Sequence, residues 1–185
     1  MLKDLLKETE NHMKSTIEVL KRELMGVRTG RASAGILDRV IVEYYGTPTP
    51  LAQVASISTP DARMIVIQPW DKTILNTVEK AILKSDLGLN PVNDGMVIRL
   101  PIPQLTEERR KDLTKVVRKE AEERRITVRN IRRDVNEKIK TLEKDGKISE
   151  DEDKKALDDV QKLTDRYIVE IDRIVEQKEK EIMEV

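Results

Sequence analysis

Residues 124–133 read RRITVRNIRR, five arginines in ten positions, in a chain whose 35 basic residues are matched by 35 acidic ones. Guanidinium groups at that density suit one chemistry well. Their planar forks grip phosphates and base edges, where lysine offers only a point charge. The neutral total hides an asymmetry. Arg109 to Arg133 holds eleven Lys or Arg against four Asp or Glu, a net of +7, whereas Glu143 to the C-terminus holds nine against fifteen, a net of −6. A basic segment followed by an acidic one fits an anionic partner for the first, or pairing of the two with each other.

Other chemistry is sparse. The single histidine, His12, falls beside Met13 in a helical pattern, where a place on the rim of a bundle is expected rather than a catalytic base. There is no HExxH pair, no GxxxxGK[ST] phosphate loop and no GxSxG elbow. The absence of cysteine excludes disulfides and thiolate zinc sites. Glu150-Asp151-Glu152-Asp153 reads as a helix cap with dipole-matched acids, not as a metal site. Trp70, next to Pro69, is expected in the core of a small domain. No catalytic residue, metal or cofactor is expected, and an enzyme reading lacks its residues. No apolar run is long enough to span a membrane, and the acid-containing N-terminus is unlike a signal peptide, so a cytoplasmic protein is expected.

The elements that must position the arginines follow from periodicity. Leu2, Leu5, Leu6, Met13, Ile17, Leu20, Leu24 and Val27 form one apolar stripe of an amphipathic helix, which Gly30 closes. From about 31 to 104 the chain changes character, with short Val/Ile-rich strands at Arg39–Tyr45, Gln53–Ser58, Met64–Gln68 and Val97–Pro101. Gly46-Thr47-Pro48-Thr49-Pro50 reads as a loop, Asp71 as the cap of a helix running to about Ser85, and Asn93-Asp94-Gly95 as a turn. Thr106 then caps a second long helix reaching about Lys144, with Val117, Ala121, Arg124, Val128, Ile131, Val135, Lys138 and Leu142 at alternating steps of four and three. A capping box, Ser149 to Glu152, opens a third, whose stripe is Leu157, Val160, Leu163, Tyr167, Ile171, Ile174 and Ile182.

None of these helices can bury its apolar face alone. The economical fold is α+β: an elongated antiparallel three-helix bundle from residues 1–29 and 106–185, with a small mixed α/β domain, residues 30–105, inserted. Charged residues at 38% and aromatics at 2% suit thin, elongated layers. Two chain crossings, near 28–31 and 101–105, would make a paired hinge of Arg28, Thr29, Gly30, Arg31, Pro101, Pro103, Gln104 and Leu105.

At about 100° per residue, Lys111, Arg118, Arg125, Arg129, Arg132, Arg133 and Lys140 share roughly 100° of the second long helix, beside its core face. Such a line of charge has the shape needed to track a nucleic-acid backbone, and without aromatic neighbours it suits phosphates and RNA shape rather than base stacking. The alternatives are a solvated face, or pairing with the acidic third helix. A coiled-coil interaction protein or holdase would share the helices without a particular partner for the stripe.

The segments RTGRAS (28–33), VEYYGTPTPL (42–51), SDLGLNP (85–91), LTEERRKDLTK (105–115) and VRNIRRD (128–134), in this order and spacing, resemble bacterial ribosome recycling factors over essentially the whole chain. The resemblance implies an L-shaped, monomeric factor whose bundle binds large-subunit ribosomal RNA of the post-termination ribosome. It implies elongation factor G, which carries GTP, as the partner with which subunits are separated and messenger RNA released. The family's RNA-contacting arginines correspond to Arg110, Arg129, Arg132 and Arg133.

Overall fold

The structure, a computed structural model, describes residues 1–27, 29, 32–85 and 87–184. Of the expected hinge positions, Arg28, Gly30 and Arg31 lie outside the described residues. The chain forms two compact units, Met1–Leu24 with Thr114–Glu179, and Met25–Leu113 with Lys180–Val185.

The first unit packs α1 (Leu2–Met25), α3 (Glu107–Lys144) and α4 (Glu150–Met183) along one another. Helix α1 buries Thr9, Met13, Thr16, Ile17, Leu20 and Leu24. The two threonines extend the stripe beyond the apolar residues of the sequence pattern. Their hydroxyls donate to the carbonyls of Leu5 and His12 at 2.7 and 3.0 Å, so burial leaves no polar atom unsatisfied. In α4 the seam runs through Ala156, Val160, Thr164, Tyr167, Ile171 and Val175. Leu157, Leu163 and Ile174, expected there, are half-buried at its edges. The small Ala156 and self-bonded Thr164 face inward because two partner helices crowd that side, and the larger side chains cover its flanks.

The helix ends explain why α3 and α4 stop and start where they do. The Thr106 hydroxyl accepts from the Arg109 amide at 3.1 Å. At the other end of α3, Lys147 N donates to Leu142 O and Gly146 N to Glu143 O, with Gly146 at φ +71, a left-handed closure that glycine adopts without strain. The capping box forms in both directions: Glu152 N donates to Ser149 Oγ at 3.1 Å and Ser149 N to Glu152 Oε2 at 2.8 Å. Ser149→Ala is expected to lower stability by about 1 kcal/mol, read as a shift of the urea midpoint at constant slope.

The second unit holds a four-stranded antiparallel sheet of order β3-β4-β6-β5: β3 (Ala55–Asp61), β4 (Met64–Pro69), β5 (Val92–Asn93) and β6 (Ile98–Pro101). A separate hairpin pairs β1 (Ile41–Tyr44) with β2 (Thr47–Pro50). Ile65 and Ile67 alternate inward opposite Leu100 and Ile98, and Leu75, Val78 and Ile82 of α2 (Leu75–Lys84) join the same core. The proline-rich segment expected as a loop is therefore a strand. It pairs on one side only, and alternate positions of an edge strand point their missing amide away from the partner. The two-residue β5 also escaped the sequence pattern, being too short to show alternation. Asp71 caps a 3-10 turn, Lys72–Ile74, that leads into α2. Trp70 is not core: it is 68% exposed at the end of β4, because the interior there is filled by Ile65, Ile67 and Pro69 on the opposite alternation.

Candidate nucleic-acid interface

Helix α3, 38 residues long, carries the arginine line on a single rigid element. The structure divides that line. Arg118 donates from Nε to Glu179 Oε1 at 2.7 Å, and Arg125 from Nη2 to Asp172 Oδ1 at 2.6 Å. Arg125 also reaches Glu122 Oε2 at 3.2 Å, and Arg132 donates to the Gln161 amide oxygen at 3.3 Å. Arg118, Arg125 and Arg132 recur every seven residues, as do Asp165, Asp172 and Glu179 on α4, so this flank of α3 faces the acidic helix in register. Pairing between the basic and acidic helices, one of the alternatives left open by the sequence, is what the structure shows at Arg118 and Arg125.

The outward flank differs. Arg129 is 40% exposed and meets only one edge of Glu122, at 3.4 Å. Arg133 is exposed and carries no ion pair or hydrogen bond. Arg110 lies in the first turn of α3, half-buried, with its Nε lacking a hydrogen-bond partner. Exposed ion pairs contribute roughly 0–1 kcal/mol, so Arg118, 68% exposed, is held by Glu179 too weakly to be withdrawn from another anion. Arg125, 21% exposed, is the most firmly held of the series.

Arg124, expected on the core stripe, sits between α1 and α3. It pairs with Glu23 at 3.7 Å and Glu123 at 3.8 Å, its Nε left without a partner. Beside it the Glu120 carboxyl shares a hydrogen bond with Glu23, which raises its pKa above the ordinary value near 4.5; burial and the Glu23 charge push the same way, against Arg124 and Lys119. A carboxyl whose folded pKa is raised adds stability that is full below its unfolded pKa and is lost as pH rises through the folded one. Glu120→Gln is therefore expected to flatten the fall in bundle stability as pH rises above about 4.5, followed by helical circular dichroism under denaturant. An unchanged pH profile would mean that the shared proton contributes nothing.

The expected hinge residues lie in mixed settings. Pro101 ends β6 opposite Met64, and Ile102 N donates to Arg63 O at 2.8 Å, so the chain is pinned to the sheet there. Pro103 and Gln104 are exposed, whereas Leu105 and Thr29 are buried. Among the described residues, no group of His, Cys, Asp or Glu could hold a metal ion, and no helix is long and apolar enough to cross a membrane. Sequence reasoning missed the acids that clasp the arginines, although the matched seven-residue spacing was there to find them.

Comparison with known proteins agrees over the whole length. Residues 20–183 match the family described as Ribosome recycling factor. The ribosome-recycling factor of Syntrophomonas wolfei subsp. wolfei is 62% identical over 185 residues, all of both chains. That of Legionella pneumophila is 53% identical, again over all of both. Among solved structures, one titled as the solution structure of the ribosome recycling factor is similar at a TM-score of 0.79 and 48% identity, covering 100% of this chain and 98% of that one. Another, with models for the T. thermophilus ribosome recycling factor and the E. coli elongation factor G bound to the E. coli post-termination complex, gives 0.70 at 49% identity, covering all of both chains.

Proposed function

The chain belongs to the ribosome recycling factor family, a family of translation factors that are not enzymes, and on that premise we propose how its two units divide the work. The factor binds the ribosome after termination and, with elongation factor G and GTP, promotes separation of the subunits and release of messenger RNA. It acts in the cytoplasm as a monomer.

Binding falls to α3. Arg129 and Arg133, with Arg132 and Arg110, face phosphates of large-subunit ribosomal RNA, and Arg118 and Arg125 add to the field while held by α4. The observation that carries this is the unpaired, outward arginine flank on a stiff 38-residue helix. Each phosphate neutralised releases condensed counterions, so affinity falls steeply with salt. The small domain, residues 30–105, turns on the crossings at 28–31 and 101–105, and force applied to it passes into the bundle as displacement. The hinge reading rests on Pro103 and Gln104 lying exposed just beyond the pinned Ile102.

Co-sedimentation with vacant bacterial ribosomes across a salt series tests the binding half. Affinity should fall linearly on a double-logarithmic plot, with a slope of about 0.7–0.9 per phosphate contacted. Binding that is absent at low salt would remove the reading.

A further inference from the structure

The β1–β2 hairpin closes on two residues, Tyr45 and Gly46, at φ +49 and +78, between the paired Tyr44 and Thr47. Two successive positive φ values define a turn that Asn-Gly or Gly-Gly enters freely and a bulky residue enters only under strain. Tyr45 is the only described residue other than glycine with a positive φ. What the strain secures is not burial, because Tyr45 remains 80% exposed. Its ring stands edge-on to Tyr44 at 4.6 Å, and its hydroxyl donates to Asp71 Oδ2 at 3.2 Å. Asp71 is itself fixed by the Thr73 amide at 3.0 Å and hydroxyl at 2.6 Å, and Trp70, 68% exposed, directly precedes it.

The whole chain holds three tyrosines, one tryptophan and no phenylalanine. Three of those four aromatic residues thus stand at one end of the small unit, two of them largely in water, while its core is built from aliphatic side chains alone. A strained backbone and a fixed hydroxyl hold Tyr45 in one pose before any partner arrives. Preorganised, exposed Tyr and Trp are the residue types that anchor protein interfaces, since they bring large contact area at little entropic cost.

We propose that Tyr45 and Trp70 anchor the small unit to a protein in the recycling complex, one that presents an apolar recess with a cationic group at its rim to meet Asp71. The anchors sit beside the fixed Asp71 carboxylate and above the exposed Glu43 of β1, charges that repel a phosphate backbone and complement a cation. This inference rests on the recycling reading given above.

The test uses the full chain. In Tyr45→Asn the turn receives a residue it favours, so thermal stability should hold or rise, and ribosome binding through α3 should be unchanged. Subunit splitting with elongation factor G and GTP should slow by on the order of tenfold or more. Photocrosslinking from a benzoylphenylalanine at position 45, on ribosomes with elongation factor G and a non-hydrolysable GTP analogue, should give an adduct destroyed by protease and resistant to ribonuclease. Splitting at the wild-type rate by Tyr45→Asn, a ribonuclease-sensitive adduct, or no adduct on bound ribosomes would each overturn the proposal. If the wild-type chain binds no ribosomes at all, the recycling reading fails and this one falls with it.

Discussion

Replacing Arg129 and Arg133 together by glutamine should lower ribosome affinity by on the order of a hundredfold at physiological salt and leave the melting temperature unchanged. Each charge-assisted hydrogen bond contributes about 1.5–3 kcal/mol, and about 1.4 kcal/mol is a factor of ten in affinity. Neither side chain supports the bundle: Arg133 has no partner, and Arg129 touches only Glu122, which Arg125 continues to hold. The salt slope should fall by about 0.7–0.9 for each phosphate no longer neutralised. Arg125→Gln gives the contrast. It abandons Asp172 and Glu122 within the bundle, so stability should drop while binding suffers less. If Arg125→Gln weakened binding more than the double variant, the inward flank of α3 would be the RNA surface and the assignment would be reversed.

Ile171→Ala should destabilise the bundle by about 2–5 kcal/mol, lowering the melting temperature by roughly 10 °C. Ile171 is fully buried in the α4 seam, and removing its branched end leaves a space that close-packed neighbours fill only in part. Val169, two residues earlier and 52% exposed, provides the control, since Val169→Ala should change stability by less than about 0.5 kcal/mol. Differential scanning calorimetry of both variants checks the pair. Equal effects would mean that the α4 seam is not packed as described.

The long helices were legible because their apolar residues recur at three and four and their ends carry unambiguous chemistry, as at Thr106 and at Ser149 with Glu152. Burial within the seam was less legible. Thr9, Thr16 and Thr164 look polar in sequence, yet each satisfies its hydroxyl on its own helix and enters the core. Strand β2 was hidden by its prolines, whose exclusion from sheets does not extend to an edge. The arginine stripe was correctly located on one side of α3, but helical angle alone did not separate the residues facing α4 from those facing water. That division depends on where the acids of α4 lie across the gap, a tertiary fact. Trp70 shows the same limit: alternation along β4 sets its side, and hydrophobicity alone argued for the wrong one.

The measurement that tests the account most directly is subunit splitting followed by sedimentation or light scattering, using vacant bacterial ribosomes with this protein, elongation factor G and GTP supplied singly and together. Separation should occur only when all three are present, and the Arg129→Gln, Arg133→Gln double variant should fail at physiological salt and recover as salt is lowered. Splitting by the double variant at the wild-type rate and the same protein concentration would contradict the central claim that the outward arginines of α3 hold this factor to the ribosome.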